Sequence, residues 1–204
     1  MYNEKQIVAL RYFFLGKQYF KAARSLEFCI DMHPNLRKDG VTPYYLHPVA
    51  VCSYVATLSS SLIFPERTLS VALLHDILED TAVSPKELAE VVLGDLDIVQ
   101  DVMLFSKNYS IESDYFPNIA RSAAASVVKG ADNVNNIQSM VGVFTADKQV
   151  QYVYRTKDKI LPCLKVARRN FPEQQFAYEN IKLVLNSQTA LIEKMLGDSF
   201  VVQA

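Results

Sequence analysis

The stretch "SVALLHDILEDT", residues 70 to 81, sets the hardest constraint on how this chain folds. It places a His, two Asp and a Glu inside an apolar run. Between Thr68 and Pro85 there is no Lys or Arg to pair with those carboxylates. Isolated carboxylates in apolar surroundings are costly, and they neutralise, pair or bind a cation. A metal ion is therefore a serious candidate, and the ligands that complete its site should lie elsewhere in the sequence.

The 204 residues give room for one substantial domain. Half are apolar and 21% are charged, the profile of a soluble globular protein. With 21 basic and 22 acidic residues the balance is near neutral, which argues against a nucleic-acid binder or a membrane-surface protein. An anionic ligand must then be held by a local cluster. Cys29, Cys52 and Cys163 are far apart and form no metal-spaced pair. They read as reduced thiols in helix cores, in a cytoplasmic compartment. The first ten residues lack the apolar region of a signal peptide. Val41 to Pro65 is free of charge but holds Pro43, His47, Pro48 and three consecutive serines, so it is rejected as a membrane span.

Helical periodicity dominates the chain and strict alternation is scarce. "QIVALRYFF" and "YFKAARSLEFCI" read as helices parted near Gly16, and "HPNLRKDGVTPYY" reads as a loop. A helix opens at "HPVAV" with Pro48 in its first turn. The next carries "RTLSVALLHDILED" and stops near Thr81, before the capping box "SPKE". Shorter helices follow, then one over "IARSAAASVVKGADNVNNIQSM" and two long ones, the first interrupted at Pro162. The expected architecture is a single all-α bundle over residues 1 to 196, with 197 to 204 as a frayed tail.

On a helix, positions i, i+3 and i+4 share a face, the spacing of Asp76, Glu79 and Asp80. His75 lies about 100° around the axis from Asp76, so the two converge on an ion between their directions. A solvated acidic edge with a histidine satisfied in the core is the alternative that this helix leaves open. Two other positions favour the metal. His47 begins the preceding helix, and Asp132 follows a small-residue step on another. Two imidazoles and two carboxylates suit Mn²⁺, Fe²⁺ or Zn²⁺. Glu79 and Asp80 are surplus to that set, as a water-activating role requires.

The order "H…HD…D" resembles the HD superfamily of metal-dependent phosphohydrolases. A closer resemblance is to the hydrolase domain of the Rel–Spo alarmone enzymes and their small single-domain relatives. It is carried by "RKDGVTPYYLHPVAV", "VALLHDILEDT", "VVKGADNVNNIQSM" and, more weakly, "DKQVQYVYRTKDKILPCLKVAR". The resemblance implies an HD-domain helical bundle that removes the 3′-pyrophosphate from guanosine tetra- or pentaphosphate, normally with Mn²⁺, and no synthetase domain. It implies His47, His75, Asp76 and Asp132 as metal ligands and Glu79 and Asp80 as the catalytic acids. Arg37 and Lys38 match the basic pair that packs on guanine, and Asn136 an asparagine that contacts the nucleotide. Lys129 and Tyr152 are further candidates for the pocket wall.

The chain also departs from that family. Asn133 and Asn135 in "ADNVNN" stand where Arg and His are common, which implies altered phosphate binding. One residue is inserted before "TPYY", and "HPNL" replaces a glycine-rich lead-in, so His33 is given no role. Two other readings stay open. One is an HD phosphohydrolase for another nucleotide, such as a phosphorylated nicotinamide dinucleotide or a deoxynucleotide. The other is a nucleotide-binding module without turnover, against which the surplus acids Glu79 and Asp80 argue.

Overall fold

Apolar side chains at helical spacing produce helices that cover one another, and no strand forms among the described residues. The computed structural model describes residues 2–109 and 112–197. The helices are α1 (Tyr2–Lys17), α2 (Phe20–Met32), α3 (Leu46–Thr57), α4 (Pro65–Leu74), α5 (Ile77–Asp80) and α6 (Pro85–Val91). They are followed by α7 (Leu96–Met103), α8 (Tyr115–Ala120), α9 (Ala123–Met140), α10 (Ala146–Arg155), α11 (Leu161–Asn170) and α12 (Gln175–Leu196). The expected tail lies, beyond Gly197, outside the described residues.

Helix α9 is the spine. Rich in Ala, Val and Gly, it is buried along most of its length, as a helix apolar on all sides must be. It packs on α3, α4, α11 and α12. Gly130 permits a close approach of α11 and α12: a Cβ there would lie 2.7 Å from Ile181 Cγ2 and 3.2 Å from the Leu164 methyls. The buried Asp101 on α7 ties the spine to its neighbour. It accepts from Arg67 Nε of α4 at 2.6 Å and from Ser122 Oγ, the N-cap of α9, at 2.6 Å. The helices that carry His75 and Asp132 are thus anchored to one carboxylate.

The local signals behave largely as expected. Ser84 and Glu87 form a reciprocal capping box, and Pro48 occupies the first turn of α3, where a missing N–H costs nothing. Three helical expectations need correction. The helix expected through "LLHDILED" breaks at His75 and Asp76, where the backbone opens to φ −94°, ψ −6° at Asp76 before α5 resumes. The helix expected from Ile119 to Met140 is two, because Ser122 turns extended and its hydroxyl caps Ala125 N at 3.0 Å. The interruption assigned to Pro162 lies upstream of it. Residues Thr156–Ile160 form a π-turn in which the Leu161 N–H reaches Thr156 O, which relieves the clash a proline ring imposes on the preceding turn.

The loop before α3 is shaped by its own polar groups. Leu36 and Pro43 pair in an isolated bridge, and Gly40 supplies the φ of +72° that the reversal needs. Asp39 accepts from Val41 N and Thr42 N, both at 2.9 Å, and from the Thr42 hydroxyl. These bonds hold the Asp39 carboxyl down to about 2. Arg37 and Lys38 are therefore presented from a fixed turn.

Candidate active site

Four expected ligands, distant in sequence, converge. His47 comes from the first turn of α3, His75 from the end of α4, Asp76 from the break after it, and Asp132 from the middle of α9. His47 Nε2 lies 3.2 Å from Asp132 Oδ1 and 3.5 Å from Asp76 Oδ2. His75 Nε2 lies 3.3 Å from Asp76 Oδ1 and 3.8 Å from Asp132 Oδ1. The ligand atoms of His47, His75 and Asp132, all buried residues, lie within 4.8 Å of one another. His75 and Asp76 themselves form the step between α4 and α5.

The donor set fits a divalent cation. His75 Nδ1 is 2.9 Å from Ala72 O, a pure acceptor, so Nδ1 carries a proton and Nε2 is the nitrogen left to face an ion. That Nε2 is buried and makes no hydrogen bond, an orphan that an ion would satisfy. His47 Nδ1 is 2.7 Å from Asn135 Oδ1. Asp132 accepts from Asn136 Nδ2 at 2.6 Å and Lys129 Nζ at 3.0 Å, while Asp76 accepts from the Tyr44 hydroxyl at 2.9 Å. Partners of this kind orient metal ligands. Burial raises the Asp132 pKa, but Lys129 and both histidines prevail and hold it well below the ordinary carboxylate range. Burial likewise lowers the His75 pKa, yet Asp76 and Asp132 outweigh it and push the imidazole up to about 9. The cluster's electrostatics call for positive charge.

Of the four, His47, Asp76 and Asp132 line a cavity of about 770 Å³, and His75 lies buried behind them. Glu79 and Asp80 stand at its rim, with Glu79 paired to Lys107 at 3.1 Å. Loss of solvation and the Asp76 charge raise the Asp80 carboxyl above its ordinary value, against a lowering hydrogen bond from Tyr44. Arg37, Lys38, Lys129, Asn136 and Tyr152 all line the cavity. Three of them are committed, Arg37 to Asn135 and Ser139, and Lys129 and Asn136 to Asp132. Lys129 bonds Asp132 and lies over the Phe105 and Tyr115 rings, and the amide nitrogen of Asn136 also serves Asp132. Lys38 and Tyr152 share the Phe144 ring.

Asn133 and Asn135 do not line the cavity. Asn133 bonds Thr156 Oγ1 at 2.8 Å, beside the π-turn, and Asn135 faces His47. Neither asparagine thus contributes to the cavity wall. Positive charge comes instead from Arg37, Lys38, Lys107, Lys129 and Arg155. Sequence reasoning missed Tyr44, Lys107 and Arg155. Tyr44 carries a signal, three residues before His47, and so does Arg155, three residues after Tyr152 on α10; Lys107 carries none, because it shares no helix with another candidate.

The chain matches no protein-family model. It is similar to a Synechocystis sp. protein named "Probable guanosine-3′,5′-bis(diphosphate) 3′-pyrophosphohydrolase", 29% identical over 150 residues, 68% of this chain and 19% of that protein. It is also similar to the GTP pyrophosphokinase rsh of Brucella ovis, 24% identical over 191 residues, 83% of this chain and 24% of that protein. The chain spans about a fifth to a quarter of the length of these relatives. Among solved structures, that of a metazoan orthologue of SpoT, described as hydrolysing ppGpp, matches with a TM-score of 0.60 and 22% identity. The match covers 87% of this chain and 96% of that one. The all-α fold is shared over nearly that whole chain, and the resemblance to the Rel–Spo hydrolases read from the motifs is borne out.

Proposed function

We propose that the chain is a metal-dependent hydrolase of guanosine 3′,5′-bis(diphosphate) and related alarmones, with residues 1 to 196 as its catalytic domain. The observation that carries this reading is the orphan Nε2 of His75, buried beside Asp76, His47 and Asp132, three residues that line a cavity bearing several cations. The names of the Synechocystis and metazoan relatives support the substrate.

His47, His75, Asp76 and Asp132 would hold Mn²⁺, with Fe²⁺ or Zn²⁺ as other occupants that ligand type allows. Such an ion supplies Lewis acidity toward water and toward a phosphoryl oxygen. Asp80, its affinity for protons raised, takes the proton of the attacking water, and Glu79 orients that water from the same rim. The water oxygen bonds to phosphorus, the bond from phosphorus to the 3′-oxygen breaks, that oxygen takes up the proton from Asp80, and GDP and pyrophosphate leave. Arg37 and Lys38 receive the base, a guanidinium plane being suited to stack on a purine. Lys107 and Arg155 supply charge toward the phosphates. Among the described residues no helix is long and apolar enough to cross a membrane, and with three free buried cysteines this supports a cytoplasmic setting.

The test is a nucleotide panel with the Mn²⁺-loaded protein. Release of pyrophosphate from ppGpp is expected. Turnover of a nicotinamide dinucleotide phosphate or a deoxynucleotide with ppGpp untouched would replace the substrate, and binding of ppGpp without hydrolysis would remove the enzyme reading. Asp132→Ala should lose both metal and turnover. Full occupancy by elemental analysis, together with wild-type activity, would overturn the ligand assignment.

A further inference from the structure

His47 ligates a cation through Nε2 only when its proton sits on Nδ1, and the backbone enforces nothing of the kind. Its Nδ1 faces the side-chain amide of Asn135, with Oδ1 at 2.7 Å. An amide presents oxygen and nitrogen from nearly equivalent positions, and Nδ1 is a donor in one tautomer and an acceptor in the other. The distance by itself therefore fits two arrangements. In one, Nδ1–H donates to Oδ1 and the Nε2 lone pair faces Asp76 and Asp132. In the other, the amide nitrogen donates to Nδ1, and Nε2 carries a hydrogen toward those carboxylates and cannot ligate.

Arg37 resolves the ambiguity. Its Nη1 lies 3.4 Å from the same atom of Asn135, and its Nη2 donates to Ser139 Oγ at 3.2 Å. Asn135 and Ser139 stand one turn apart on α9, so the guanidinium fork spans both. A guanidinium donates only, so the amide atom it meets is the oxygen. That oxygen can only accept from His47. We infer that Asn135 is a positioning residue that selects the ligating tautomer of His47, and that Arg37 locks the amide in the required orientation. The inference rests on the metal-site reading above. It gives Arg37 a task toward the metal centre beyond any contact with a base. It also assigns a role to a position where this chain departs from the motif it resembles.

The experiment reads metal affinity without nucleotide. Protein stripped with a chelator is titrated with Mn²⁺ against a fluorescent competitor, with circular dichroism and thermal melting as checks of the fold. Asn135→Leu should weaken Mn²⁺ binding by about 10- to 100-fold, the usual effect of losing a partner behind a ligand. Arg37→Ala should also weaken it, because the amide is then free to turn. In an Asn135→Asp background both side-chain termini are oxygens, and Arg37→Ala should no longer weaken binding. This double-mutant cycle carries the test even where Asn135→Leu fails to fold. A purely electrostatic Arg37 would instead strengthen cation binding equally in both backgrounds when removed, and that result would overturn the inference. Wild-type protein that takes up no Mn²⁺ overturns the metal site itself, a failure distinguishable from this one.

Discussion

The hydroxyl of Tyr44 donates to Asp76 Oδ2 at 2.9 Å while also lying within hydrogen-bonding reach of Asp80. One phenol thus links a candidate metal ligand to the candidate base one turn further on. Its ring is held by a parallel stack on His33, with centroids 5.0 Å apart. Tyr44→Phe keeps the stack and removes the hydroxyl. Turnover and Mn²⁺ affinity should both fall, by about 10- to 100-fold for the metal, while the melting temperature stays near wild type. Unchanged affinity and rate would leave the hydroxyl without a role in the site.

The two rim acids should differ in weight. Asp80 touches Tyr44 and has a raised proton affinity, whereas Glu79 is paired with the exposed Lys107. Asp80→Asn should lower kcat by about two to four orders of magnitude, the range for a positioned acid–base group. Glu79→Gln should cost less, and nucleotide affinity should change little in either. Steady-state kinetics with equilibrium nucleotide binding separates the cases; variants that lose binding and keep kcat would move these acids into the recognition surface.

Gly130 is expected to resist enlargement. Alanine gains helix propensity of up to about 1 kcal/mol over glycine. Its methyl, however, would press on the fully buried Ile181 at 2.7 Å, and overpacking of this kind costs about 1–3 kcal/mol. Denaturant melts should show a net loss of stability for Gly130→Ala. A more stable variant would mean that α9 and α12 separate at no cost.

The cysteines should be silent in the folded protein. All three are free and buried, and burial pushes the Cys163 thiol up to about 11 and raises those of Cys29 and Cys52 further. A disulfide reagent at pH 8 should titrate none of them rapidly in native protein and all of them in denaturant. Rapid native labelling of any one would show that its helix opens locally.

Much of this molecule was legible in one dimension. Helical periodicity reports which side of a segment is apolar, and that is a local property. The capping box at Ser84 and the first-turn Pro48 depend on a few adjacent residues, so spacing identifies them. The candidate quartet His47, His75, Asp76 and Asp132 was accessible because its residue types and order resemble a known motif.

Tertiary structure decided the rest. The pairing of Glu79 with Lys107 and the meeting of Asn135 with His47 join segments with no common periodicity. The break at His75 and Asp76 is not written in local propensity, since Leu, Ile and Glu around it all favour a helix. A substitution such as Asn135 reads in sequence as a lost cation and in the fold as an acceptor behind a histidine. The physical reason is that residue type limits what a side chain can donate or accept, whereas its partner is set by the packing of helices around α9.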